Sequence, residues 1–203
     1  MSQAPERIRR RSSHRPSSMS LLCPSCRAPL KVDSKWCASC NFTGSTTVEL
    51  FPGLPPPLLP ILDAMGLWND ADIQKIEAAR ESLRKRFPQL HWRVCTVGLP
   101  PETLLPVFGF WLLNACPLSE NETSEERAWT ILLLIDVESG QAAAIPGYAA
   151  ETCLGDEGWQ KALDAMADPW QAGKTADAVV EFFKNSRSRL DESWKRNGSR
   201  TNR

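Results

Sequence analysis

Cys23-Pro-Ser-Cys26 and Cys37-Ala-Ser-Cys40 are the residues best placed to do chemistry in this chain, and ten residues separate the two pairs. Each CxxC turn aims two thiolates at one point, and the intervening length suits a short hairpin that returns the second turn to the first. The spacing predicts a tetrahedral Zn²⁺ site with four sulfurs at ~2.3 Å. A redox CxxC or a disulfide pair is the competing reading, and two such turns at this distance argue against it. Four cysteines leave no open position for water or substrate, so the metal is expected to be structural. Some twenty residues cannot bury a core by themselves, so ion binding would drive folding of the segment. Pro24 stiffens the first turn, and Lys31, Val32, Lys35 and Trp36 supply strand-like residues between the pairs.

Other candidates are few. Asp136, Glu138 and Asp156 stand at expected strand ends or loop starts, where carboxylates could converge on a hard cation in an open α/β crevice. Strand ending by Asp136 and helix capping by Asp156 is the more favoured account of the two aspartates. His14 and His91 lack ligand-spaced partners, and there is no P-loop, nucleophile elbow, HExxH or dinucleotide fingerprint. Cys95, Cys116 and Cys153 fall in apolar or mixed segments and are expected as reduced, buried thiols. The eight tryptophans read as core.

The elements that would position these residues follow from periodicity. Ile73, Ile76, Leu83 and Phe87 form one stripe of a helix capped by Asn69 or Asp70 and closed by Pro88. His91 to Gly98 reads as a strand, and Leu104 to Cys116 as a buried helix. Trp129 to Asp136 is a continuous apolar run, as in a central strand covered on both faces. Glu138-Ser-Gly140 turns it into a hairpin partner at Gln141–Ile145. Two helices follow, one carrying Trp159, Ala162, Leu163, Met166 and Trp170, the other Ala176, Val179, Val180, Phe183, Leu190 and Trp194 with Thr175 as cap. Alternating helices and strands predict an α/β layer structure.

The chain divides accordingly into a disordered basic tail (1–20), a zinc ribbon (21–45), a proline-rich linker (46–60), an α/β domain (61–195) and a short disordered tail (196–203). The formal net charge of the whole is zero, but 61–192 hold 21 Asp and Glu against 12 Lys and Arg, while 1–20 carry five arginines against one acid. The main domain is therefore a poor polyanion binder. With no secretory h-region and no apolar run long enough to span a bilayer, the cytoplasm is the expected compartment.

In order and spacing, Val97-Gly98-Leu99-Pro100, a helix, Ile131 to Asp136, Gly147-Tyr148, Glu151 and Leu154-Gly-Asp156 resemble the TPM domain family, over roughly Pro57 to Trp194. That family occurs in thylakoid-lumen, photosystem-repair and receptor-modulator proteins and in many bacterial ones. The resemblance implies a three-layer α/β/α sandwich on a small mixed sheet, Ca²⁺ binding in some members and acid phosphatase activity proposed for some. Gly147-Tyr148-Ala149-Ala150-Glu151 departs from the family's usual Gly-Tyr-Gly followed by an acid. The leading expectation is a non-enzymatic zinc-binding adaptor with a protein partner. The alternative is a metal-dependent, phosphatase-like hydrolase. Nucleic-acid binding through the ribbon and Arg7 to Arg15 is weaker, because the rest of the chain is acidic.

Overall fold

A computed structural model describes residues 21–31 and 34–198; the basic tail over 1–20, Val32, Asp33 and residues 199–203 lie outside the described residues. In chain order the elements are β1 (Leu21–Leu22), β2 (Pro29–Leu30), α1 (Gly44–Leu50), β3 (Ile61–Asp63), α2 (Asp70–Arg86), β4 (His91–Val97), α3 (Leu105–Ala115), α4 (Ser124–Ala128), β5 (Thr130–Asp136), β6 (Gln141–Pro146), α5 (Tyr148–Asp164), α6 (Ala167–Gln171) and α7 (Thr175–Gly198).

The protein is α/β, built on a small mixed sheet of order β3-β4-β5-β6 flanked by helices. β4 lies parallel to β5, with His91 opposite Thr130 and Val97 opposite Asp136; β3 is parallel to β4, and β6 returns antiparallel along β5. Every residue of β5 is buried, which is why its sequence is an unbroken apolar run. Strand alternation divides the interior into two cores. Trp92, Val94, Ile131, Leu133 and Ile135 face α2, α5 and α7, where Ile76, Trp159, Phe182 and Phe183 meet them. Cys95, Leu132 and Leu134 face the other way, under Leu105 and Leu112 of α3. Because β3, β4 and β5 advance in one direction while α2 and α3 cover opposite faces, the two crossovers have opposite hands. One of them departs from the usual right-handed rule.

Asn69 caps α2 through a reciprocal capping box with Asp72, and the cap of α3 has no side-chain bond but a proline in its first turn. Glycine is required at 147, where a Cβ would lie 2.3 Å from the Arg127 carbonyl oxygen and 2.5 Å from that of Ala128. That close approach starts α5 at Tyr148, eleven residues before the stripe beginning at Trp159 expected from periodicity. Gly155, at φ 66°, kinks α5 midway and interrupts the apolar period there.

Residues 46–60, expected as a semi-extended linker, include the last residues of α1; beyond it most of the segment is exposed, Leu54 at 99%, and Phe51 and Leu58 anchor it. Leu58 is fully buried, its N–H donates to the Pro117 carbonyl at 2.9 Å, and its carbonyl accepts from the buried Arg93 guanidinium. Arg93 also donates to the Leu118 carbonyl at 3.0 Å and pairs with Glu126, so a single cation fastens the prolines, the loop after α3 and α4. α7 continues to Gly198, past the expected end of the domain at 195.

Candidate metal centre

Each CxxC turn folds by the same local device. In the first, Arg27 N–H donates to the Cys23 carbonyl and Cys23 N–H to the Ala28 carbonyl, both at 2.9 Å; in the second, Asn41 N–H donates to the Cys37 carbonyl at 2.8 Å and Cys37 N–H to the Phe42 carbonyl at 2.9 Å. Both turns close on a residue of positive φ, Arg27 at 62° and Asn41 at 59°. The two knuckles are thus conformational repeats. Asn41 is a residue that tolerates this region, whereas Arg27 carries no such signal. The strand residues sit elsewhere than expected: β1 and β2 flank the first knuckle, pairing Leu21 with Leu30, and Trp36 is 59% exposed in a bend before the second.

The knuckles bring Cys23, Cys26, Cys37 and Cys40 together, all four sulfurs within 4.8 Å of one another. Cys23 Sγ lies 3.7 Å from Cys40 Sγ, and Cys26 Sγ 3.6 Å from Cys37 Sγ. Sulfurs bound at ~2.3 Å on a tetrahedron stand about 3.8 Å apart, so these separations fit a tetrahedral ion. The electrostatics of the donor set agree. The Ser39 N–H, followed by that of Cys40, holds the Cys37 thiol down to about 6. At Cys26 the Ala28 N–H favours the thiolate, yet the sulfurs of Cys40, Cys37 and Cys23 push that thiol up to about 12. Burial raises Cys23. Four thiolates this close cannot all ionise without a cation among them, and a divalent ion removes the conflict. The cysteine cluster can therefore hold a metal ion.

The cluster is packed onto the α/β unit. Cys23, Cys37, Phe42 and Val107 share one apolar cluster, with Phe110 and Phe51 against it. Phe42 meets Phe110 edge-on at 5.7 Å, and Phe51 meets Phe108 at 5.1 Å and Trp111 at 5.3 Å. α1, capped by Thr43 through a capping box with Thr46, carries the chain from the second knuckle to Phe51. On the far side, Arg27 pairs with Asp156 of α5.

The carboxylates singled out in the sequence are not part of the sulfur cluster, and two of them, Asp136 and Asp156, are engaged by other groups of the chain. Asp136 is buried; its oxygens accept from the Leu99 N–H at 3.2 Å, the Glu138 N–H at 3.3 Å and the Ser139 hydroxyl at 2.5 Å, which closes the β5–β6 turn. Glu138 is exposed in that turn, and Asp156 is exposed and bound to Arg27. Among the described residues, the four cysteines form the cluster close enough to hold one ion, and these three carboxylates belong to none. Asp63 is used like Asp136, accepting from Thr96 Oγ1 at 2.5 Å and the Trp68 N–H at 2.9 Å. Cys95 and Cys116 are buried, and burial pushes them up to about 12 and about 11.

Fold and site together define a class: an α/β domain on a small mixed four-stranded sheet, preceded by a four-cysteine cluster. No protein-family model matches the chain. No curated protein matches it either. Among solved structures, it is similar to the N-terminal domain of a protein from P. gingivalis, with 19% identity and a TM-score of 0.49 over 72% of this chain and 88% of that one. It is also similar to the N-terminal domain of the cg2496 protein from Corynebacterium glutamicum, with 16% identity and a TM-score of 0.50 over 64% of this chain and 78% of that one. At such identity the second likeness speaks for a shared fold alone. No helix among the described residues is long and apolar enough to cross a membrane.

Proposed function

We propose that the protein is a zinc-folded adaptor: a structural Zn²⁺ ribbon joined to a TPM-type α/β domain that binds a protein partner and catalyses no reaction. The observation that carries this reading is the set of four convergent sulfurs, all within 4.8 Å and two pairs at 3.6 and 3.7 Å, which suits tetrahedral zinc and would leave no position for substrate. Its support from α3 adds to it, because a ribbon packed through Phe42 and Phe110 presents a fixed surface. The TPM assignment rests on the ordered motifs from Val97 to Asp156 and on the mixed sheet that carries them. A cytoplasmic location suits seven cysteines that form no disulfide among the described residues.

The metal would be held by Cys23, Cys26, Cys37 and Cys40, and what it supplies is folding free energy. The chain's own groups prepare the site: backbone N–H groups of Ser39 and Cys40 stabilise one thiolate, and Arg27 and Asn41 close the turns. The test pairs two assays on the zinc-loaded chain. Affinity capture is compared between the natural protein and Cys37→Ser, and phosphomonoester turnover is measured with Mg²⁺, Mn²⁺ or Ca²⁺ added. The adaptor reading expects capture that depends on Cys37, with no turnover. Turnover abolished by Asp136→Asn, in a variant whose fold is intact, would replace it with the hydrolase alternative.

A further inference from the structure

Between the first knuckle and the α/β unit lies a cleft of about 540 Å³, within the size range of specific ligand sites. Leu22 and Pro24 of the ribbon form one wall; Phe110 and Leu113 of α3, Ile145 of β6 and Tyr148 of α5 form the other. The lining is mostly apolar, with a few charges whose pairing decides what the cleft can accept. Arg127 is spent within the wall: it pairs with Glu122 and donates to the carbonyls of Leu113 and Cys116. Glu122 is spent likewise, on Arg127 and the Leu118 N–H. Arg27 is paired with Asp156. Glu151 is different.

Glu151 lies half-buried in the cleft lining, and no Lys, Arg or His among the described residues stands within ion-pair distance of it. Burial raises its pKa; the Leu22 N–H opposes the shift, Asp156 adds to it, and Arg27 is near enough to lower it slightly. Among the described residues the Glu151 carboxylate is therefore the lining charge that forms no ion pair, in an apolar setting where a cation would offset its desolvation. Tyr148, the chain's single tyrosine, lines the cleft three residues before it and is 64% exposed, an accessible aromatic ring of the type that attracts a guanidinium or ammonium. Carboxylate and ring together favour a cation, and the surrounding leucines, prolines and phenylalanine favour apolar groups attached to it.

We propose that this cleft binds a basic side chain, an arginine or lysine, presented by a partner polypeptide with apolar residues on either side of it. Glu151 takes the charge, Tyr148 stacks on it, and Leu22, Phe110, Leu113 and Ile145 receive the flanking apolar groups. Because Leu22 and Pro24 form one wall, the site exists only while the metal keeps the ribbon folded. The proposal deepens the adaptor reading and rests on it.

The test titrates the full zinc-loaded chain, followed by amide NMR, with two blocked peptides that differ in one residue. One carries a single arginine between leucines, and the other carries neutral citrulline in its place. The arginine peptide should move the amide signals of Leu22, Ile145, Tyr148 and Glu151, and should bind at least tenfold more tightly than the citrulline peptide. Glu151→Gln, which keeps an acceptor for the Leu22 N–H, should abolish that difference while leaving the rest of the spectrum in place. Equal binding of the two peptides, shifts confined to other surfaces, or an unchanged preference in Glu151→Gln each overturns the proposal. Partner capture by the full chain that survives Glu151→Gln ends the cleft assignment and leaves the adaptor reading standing.

Discussion

Phe110→Ala tests whether the metal cluster and the α/β unit act as one structure. Phe110 is half-buried, packed against the Cys23, Cys37 and Phe42 cluster and edge-on to Phe42 at 5.7 Å. Truncating a fully buried phenylalanine costs about 3–5 kcal/mol, so half-burial brings the expected loss to about 2 kcal/mol. Of that, ~1 kcal/mol should belong to the ring pair itself and appear as coupling in a double-mutant cycle with Phe42→Ala. In a domain of this size the loss corresponds to a fall in Tm of about 6 °C. The assay is thermal and denaturant unfolding of the natural protein and the variants, each with zinc and with chelator. Without metal the ribbon should unfold and leave Phe110 facing solvent, so the same substitution should cost under about 0.5 kcal/mol. A cost that is equal with and without metal would refute the docking argument, since Phe110 would then be stabilising something other than the ribbon.

Chelation should unfold the ribbon and lower the Tm of the α/β unit while leaving that unit a cooperative transition of its own; loss of every transition would show a single folding unit. Gly147→Ala should destabilise by about 3 kcal/mol or more, because its Cβ would meet two carbonyl oxygens of a fixed backbone; a variant as stable as the natural protein in urea would contradict this. Asp136→Asn should cost about 1–3 kcal/mol, by weakening the hydrogen bonds that close the β5–β6 turn; a denaturation midpoint unaltered by the change would count against that role. The Leu118 N–H, and then Arg127, hold Glu122 below its ordinary value of 4.5. A depressed carboxylate contributes stability that is complete above 4.5 and lost as pH falls through the folded value. Glu122→Gln should therefore flatten the acid side of the stability profile, as read by unfolding between pH 3 and 6.

What could be read from residues alone was whatever depended on local pattern. The unbroken run Ile131 to Ile135 announced a strand covered on both faces, and the stripe Ile76 to Phe87 a helix with one buried side. The cysteine spacing announced a convergent sulfur set. What escaped was set by distant contacts. β3 spans three residues, Ile61–Asp63, too short to show alternation, and it exists because β4 supplies its hydrogen bonds. α4 spans five residues held by the Thr123 cap, with Arg93 reaching Glu126 from another element. The start of α5 depends on Gly147 passing against the Arg127 carbonyl, a contact between residues twenty apart. In the metal centre the ligands were legible, but the support from α3 was not. Phe108, Phe110 and Trp111 read as part of a helix apolar nearly all round, and only the fold reveals that one side faces the sheet and the other the ribbon. Glu151 appeared within a motif; its half-buried place in the cleft against the Leu22 N–H became visible only in the fold.

The most direct measurement is zinc content combined with X-ray absorption at the zinc edge, on protein purified under reducing conditions. The account predicts one equivalent of zinc per chain, four sulfur neighbours at ~2.3 Å and no oxygen or nitrogen in the first shell, with occupancy lost in Cys37→Ser. Less than half an equivalent, a mixed oxygen and sulfur shell, or full occupancy retained in Cys37→Ser would contradict it.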